Sequence, residues 1–204
     1  MLKIGITGGI GSGKTTVCKV FELLGIPVFY ADTAAKLAMI NNPVLVNGVK
    51  ESFGQESYHP DGTLNNKHIA AIVFNNQTEL DKLNALVHPA VFKAFDVWVA
   101  TKTMAPYVLK EAALLFESGS YQKCDKNILV TSPVALRMAR VMQRDQVTEA
   151  QVLARMDKQF TDDQKMKMAD YFISNSLSDS IILQVLDLHE KFLNEEEIGN
   201  GLDA

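Results

Sequence analysis

Residues 8–15 read Gly8-Gly9-Ile10-Gly11-Ser12-Gly13-Lys14-Thr15, an instance of G-x-x-x-x-G-K-[ST]. An apolar stretch, LKIGIT at 2–7, precedes it. Apolar residues at Val17, Val20, Phe21 and Leu24 follow at the i, i+3, i+4, i+7 spacing of an amphipathic helix. Strand, glycine loop and helix in that order are the context in which this pattern holds phosphate. Glycines let successive backbone N–H groups turn inward without Cβ clashes, and the helix points its positive end at the anion. Lys14 then neutralises β/γ oxygens and the Thr15 hydroxyl is placed to ligate Mg²⁺. The competing reading is a glycine turn followed by an exposed lysine, and the flanking elements weigh against it.

Gly25 is placed to end the first helix in the left-handed conformation, and Ile26–Tyr30 (IPVFY) reads as a second buried strand. The first 30 residues therefore predict a βαβ unit with parallel strands. Further strands are expected at 107–112, 127–131 and 171–173, and five short strands between helical stretches imply an α/β layered fold with a parallel sheet. Residues 32–105 read mainly as helices: Asn42-Pro43 as a cap with a first-turn proline, Gly54 as a stop, Pro60-Asp61-Gly62 as a turn. Leu80, Leu83, Leu86 and Val87 make an apolar face, and Pro89 is expected to break or restart the helix before Phe92, Phe95 and Val99. This is more material than a crossover needs and reads as a substrate-covering insertion. Ser132-Pro133 reads as a helix start, Thr148-x-x-Gln151 and Thr161-x-x-Gln164 as capping boxes, and 194–204 (NEEEIGNGLDA) as a frayed acidic tail after a helix carrying Ile182, Val185, Leu186 and Phe192.

With 204 residues, 47% apolar and 22% charged, the composition is that of one globular domain with insertions. A net charge of −4 supplies no general positive field for nucleic acid or an anionic membrane, so any anion site is local. Two cysteines, Cys18 and Cys124, without CxxC spacing fit a reducing cytoplasm, and the histidines show no metal-ligand intervals. The N-terminus reaches glycines before a signal-peptide core can form, and no apolar run approaches the roughly 20 residues of a membrane span.

Two further features bear on chemistry. Asp32 directly follows the second strand, where the C-terminal edge of a parallel sheet feeds the ligand crevice. It suits a base for an attacking hydroxyl and a partner for Mg²⁺, and equally an N-cap for a helix at 33–40. Arg137, Arg140 and Arg144 fall on one helix face, which fits closure over a triphosphate or a solvated basic face.

Beyond the loop, the chain resembles the dephospho-CoA kinases over nearly its whole length. The resemblance is carried by TGGIGSGKTT at 7–16, LGIPVFYAD at 24–32, HP at 88–89, LLFE at 114–117, RVMQRD at 140–145 and ISNS at 173–176. It implies a three-layer P-loop kinase of the nucleoside/nucleotide type, with a core at about 1–31, 106–133 and 166–204, a helical acceptor region at about 32–105 and a lid at about 134–165. It implies phosphorylation of the ribose 3′-hydroxyl of dephospho-coenzyme A by ATP with Mg²⁺, in a cytoplasmic monomer or small homo-oligomer. By the same resemblance Gly9, Gly11, Ser12, Gly13, Lys14, Thr15 and Thr16 contact ATP, as do Arg140, Arg144 and Asn175 near phosphates or adenine. Asp32 is the catalytic base, with Lys14 and Arg140 assisting transfer. Asp32, His88 and Glu117 border the acceptor, although a structural role for His88 remains open. The metal sits on Thr15, with Asp32 or Glu111 reaching it directly or through water.

Some positions depart from the family pattern. Tyr30 stands where many members have the first acid of an Asp-x-Asp pair, and Glu111 and Ala113 replace Asp and Pro before LLFE. Asn66 stands where an arginine is common after DGTL, and Leu177 replaces a glycine. Three other readings stay in view. Another small-molecule P-loop kinase would differ in acceptor. A switch GTPase would need N-K-x-D, whereas Asn66-Lys67 continues His68-Ile69, and a motor ATPase would need a strand ending in Asp-Glu. A nucleotide-binding pseudo-enzyme is the third, motivated by Tyr30 and Asn66.

Overall fold

The computed structural model describes residues 1–74 and 76–201, with side chains described to residue 195. Five parallel strands form one sheet: β1 (Leu2–Thr7), β2 (Val28–Tyr30), β3 (Tyr107–Glu111), β4 (Lys126–Thr131) and β5 (Tyr171–Ser174), in the order β2-β3-β1-β4-β5. All five expected strands are present. The second is shorter than the stretch 26–30, and β3 lies between β1 and β2, so the opening βαβ unit is parallel but its strands are not neighbours.

The chain divides into two compact units, 1–30 with 101–204, and 31–100. In the first, Ile4 and Ile6 of β1, Tyr107 and Leu109 of β3, Ile128 and Val130 of β4 and Ile173 of β5 share one buried face. Two helices cover it. From α1 (Lys14–Leu23) come Val17, Cys18 and Phe21; from α9 (Ile181–Gly201) come Val185, Leu188 and Phe192. Tyr107 is wholly buried with its hydroxyl 2.6 Å from His189 Nδ1, so the one polar atom of a large core side chain is satisfied. The opposite face, where Gly5 lies in register with Lys110 and Asn127, packs against Leu115 and Cys124.

Between β4 and β5 run α6 (Val134–Asp145), α7 (Glu149–Met156) and α8 (Asp162–Met166), and both expected capping boxes open α7 and α8. Ser132 does not cap α6. Its hydroxyl donates instead to the Asn175 carbonyl at 2.9 Å, and Pro133 stands at the cap without a side-chain bond. The acidic stretch after Asn194 continues α9 as helix to Gly201 rather than fraying; residues 202–204 of the expected tail lie outside the described residues. Of the apolar residues expected to bury α9, Ile182 and Leu186 are exposed, and Leu188 takes the place beside Val185 and Phe192.

The second unit is helical: α2 (Ala31–Asn41), α3 (Pro43–Phe53), α4 (Asn66–Val73) and α5 (Gln77–Ala100). Asn42 caps α3 as expected, its side chain accepting from Val44 and Leu45 N–H groups, and Asn65 caps α4. Gly54 ends α3 at φ 90° and Gly62 closes its turn at φ 83°. Pro89, expected to break or restart the helix, lies inside an uninterrupted α5. An interior proline costs about 3 kcal/mol. Leu83, Val87, Val91 and Phe95 form one buried stripe, one residue every four, running straight through the proline, and that shared burial overrides the local cost.

Candidate active site

Residues 8–13 leave β1 and turn into α1 with Gly11 at φ 78° and Gly13 at φ 92°, a backbone that only glycine adopts without strain. Gly13 is the N-cap and makes no side-chain cap bond to the first amides of the helix. Those N–H groups, with no acidic residue in the first turn, are what an anion needs at a helix N-terminus. Lys14 is buried and donates from Nζ to the Gly8 carbonyl at 3.0 Å, which folds its ammonium back over the loop. The Ser12 hydroxyl is buried without a hydrogen-bond partner, an orphaned group inside the cradle. Thr15 and Thr16 are exposed at the start of α1.

Side chains from distant segments hold the outward carbonyls of the loop. Asn175 Nδ2 donates to the Ser12 carbonyl at 2.7 Å and lies against Gly13, where a Cβ would meet it at 2.1 Å. Arg140 donates to the Gly11 carbonyl at 3.4 Å, to Ser132 Oγ at 3.2 Å and to Asn175 Oδ1 at 3.3 Å. Both residues read from the sequence as nucleotide contacts thus also brace the loop that would carry the nucleotide. The expected arginine face divides. Arg144 is two-thirds exposed and pairs with Asp145 at 2.7 Å, which also accepts from Arg155 at 2.7 Å. Arg137 is buried, paired with Asp162 at 3.0 Å, and lies on Gly9, whose missing side chain is what makes room for its guanidinium.

Glu111 ends β3, buried and in register with Ile6 of β1 and Tyr30 of β2. Burial, then the neighbouring Cys18, Glu22 and Glu111, push the Tyr30 phenol well above its ordinary value, so a neutral hydroxyl stands where a second carboxylate was the family expectation. Burial likewise pushes the Cys124 thiol up to about 11 and raises that of Cys18, with Glu111 and Glu22 adding to the latter. Both shifts disfavour the thiolate, the nucleophilic form, at neutral pH. Thr15 and Glu111 are hard oxygen donors of the kind Mg²⁺ takes, completed by phosphate and water. Among the described residues no group of three or more His, Cys, Asp or Glu forms a metal cage. The donor set fits a metal that arrives on a nucleotide.

Glu117, expected at the acceptor, is engaged within its own unit: Oε1 accepts from Phe160 N at 2.8 Å and forms an ion pair with the fully buried Lys165 at 3.0 Å. In the helical unit, Asp32 is exposed inside the first turn of α2, which starts at Ala31. It therefore complements the helix dipole and is not an N-cap. His88 is half-buried with its ring stacked on Phe92 at 6.0 Å. Leu177 is 91% exposed, and Asn66 opens α4. Spacing did not single out Gln159, Asp162 or Lys165. They meet the loop and the segment after β3 only through the fold, and no periodic or motif signal marks them.

A family model for dephospho-CoA kinases matches residues 2–180. The chain belongs to the dephospho-CoA kinase family. A curated dephospho-CoA kinase of Salinibacter ruber is 42% identical over 180 residues, 86% of this chain and 89% of that protein. A crystal structure of a Thermus thermophilus protein superposes with a TM-score of 0.82 at 32% identity, covering 93% of this chain and 96% of that one. A dephospho-CoA kinase structure from Campylobacter jejuni superposes with a TM-score of 0.69 at 25% identity over 95% and 98%. Kinase membership is thus carried by the whole family pattern and not by the phosphate loop alone. Among the described residues no helix is long and apolar enough to cross a membrane.

Proposed function

We propose that this chain transfers the γ-phosphoryl group of ATP to the ribose 3′-hydroxyl of dephospho-coenzyme A, giving coenzyme A and ADP, the last step of coenzyme A synthesis. The observation that carries the reading is the family match through residue 180, which spans the phosphate loop, the helical unit and the segment 134–165 together. A free phosphate loop would support any of several kinases.

In this reading the amides of residues 11–15 and the Lys14 ammonium hold the β- and γ-phosphates. Thr15, with Glu111 or Asp32 directly or through water, holds Mg²⁺, which when bound offsets charge on the transferred group. The exposed Asp32 carboxylate accepts the proton of the attacking hydroxyl. Arg140 keeps the Gly11 carbonyl turned out and adds positive charge to the donor side, with Arg144 and Asn175 beside adenine or phosphate. Residues 32–105 form the acceptor region with His88 at its border, residues 134–165 act as a lid, and the remainder is the core. Glu117 bears on the acceptor indirectly, by fixing Phe160 and Lys165. Two free cysteines with raised thiol values suit a reducing cytoplasm. With a net charge of −4 no nucleic-acid partner is called for, and the working form is a monomer or small homo-oligomer.

The test is product identification. Incubation with ATP, Mg²⁺ and dephospho-coenzyme A should yield a product heavier by one phosphoryl group, with phosphorus NMR showing a ribose 3′-monoester. Phosphate on another position, or hydrolysis of ATP without transfer, would contradict it.

A further inference from the structure

Three consecutive residues of the phosphate loop are each held by a side chain from a different part of the fold. Asn175 takes Ser12 and Arg140 takes Gly11, in both cases through the carbonyl. The third contact has the opposite sense. Gln159 Oε1 accepts the Ile10 N–H at 2.8 Å, while its Nε2 donates to the Ala113 carbonyl at 3.3 Å. A carboxamide offers one acceptor and one donor on a planar head, which is what a bridge between an amide N–H and a carbonyl requires.

The segment that carries Gln159 is itself fixed. The next residue, Phe160, donates its N–H to Glu117; Asp162 pairs with Arg137 on Gly9; and Lys165 pairs with Glu117. Residues 9 and 10 of the loop are thereby tied to 159–165, and through Ala113 and Glu117 to the stretch that follows Glu111.

We propose that Gln159 is a positioning residue for nucleotide binding: by consuming the Ile10 N–H it holds the loop in the conformation that aims the amides of residues 11–15 at the β-phosphate. This rests on residues 8–15 being the ATP-phosphate loop. Because the β-phosphate is common to substrate and product, the contribution is to binding of ATP and ADP alike, and not to the transfer step or to the acceptor. It is the preorganisation effect, in which ordering a loop before the ligand arrives lowers the cost of binding.

The test uses the full chain and Gln159→Met, which keeps side-chain length and removes both hydrogen bonds. Calorimetry with ADP and Mg²⁺ should show about tenfold weaker binding, the scale of a lost hydrogen bond that leaves a partly buried amide unpaired. KM for ATP should rise by the same factor, with kcat and KM for dephospho-coenzyme A within about threefold of wild type. Hydrogen exchange in the peptide containing Ile10 should quicken in the nucleotide-free protein. Unchanged ADP affinity would overturn the proposal, as would a parallel loss in ADP affinity, acceptor KM and melting temperature, which marks general destabilisation. Failure of the wild-type chain to bind ADP at all would overturn the phosphate-loop reading itself, and this proposal with it.

Discussion

The sheet-bearing unit and the helical unit differ in what they bury. Around the phosphate loop the buried set includes Ser12, Lys14, Glu111, Ser132, Arg137, Lys165 and Asn175, most of them spent on named hydrogen bonds and ion pairs. In residues 31–100 the buried side chains are apolar, from Met39 and Leu45 to Phe95, together with Tyr58 and Ser57. Tyr58 spends its hydroxyl on the Met39 carbonyl at 2.7 Å. The phosphate loop is thus braced by polar groups that the fold aims and locks. The helical unit is an apolar frame that leaves Asp32 in solvent. Buried polar networks cost stability unless fully paired, so they persist where geometry matters most.

That contrast can be broken first at Lys14. Lys14→Met should lower kcat/KM for ATP by about 10³-fold or more with the secondary structure unchanged, as expected for a prepositioned charge on the transferred group. Steady-state kinetics beside circular dichroism checks it, and activity within tenfold of wild type would remove the donor assignment. Asp32→Asn follows, with an expected loss of about 10² to 10³-fold in kcat and ADP affinity unchanged. Near-normal turnover would return Asp32 to the role of a first-turn acid on α2.

How much of this was legible in the sequence follows the same division. Residues 8–15 declare themselves because the glycines at φ 78° and 92° and the lysine are local requirements of one short backbone path. The capping boxes at Thr148 and Thr161, and Asn42, were legible for the same reason. Pro89 and Ser132 misled because tertiary packing overrode local preference: a buried stripe carries α5 through its proline, and Ser132 is recruited by Asn175. Gly9 could be read only as part of a motif, whereas the structure shows it clearing space for Arg137. Gln159 gave no signal, since its partners lie 149 and 46 residues away.

Two smaller effects are expected in stability. Phe95→Ala removes a fully buried ring from the helical unit and should cost about 3–5 kcal/mol in denaturant unfolding, the range for a large core truncation. A cost under about 1 kcal/mol would mean that the apolar frame is not what holds that unit. The mildest is in acid. Arg144, then Arg155, hold the Asp145 carboxyl down at about 2 against an ordinary 3.8. A depressed folded value means that this pairing stabilises the fold above about pH 4 and is lost as the pH falls through about 2. Asp145→Asn should flatten the stability slope across that interval and leave neutral-pH turnover unchanged; an unaltered slope would show that the exposed pair contributes nothing.

The most direct measurement is kcat/KM for ATP-dependent phosphorylation across dephospho-coenzyme A, AMP, CMP and gluconate with Mg²⁺ present. Selective turnover of dephospho-coenzyme A is the predicted result, and efficient turnover of another acceptor with none of dephospho-coenzyme A would contradict it.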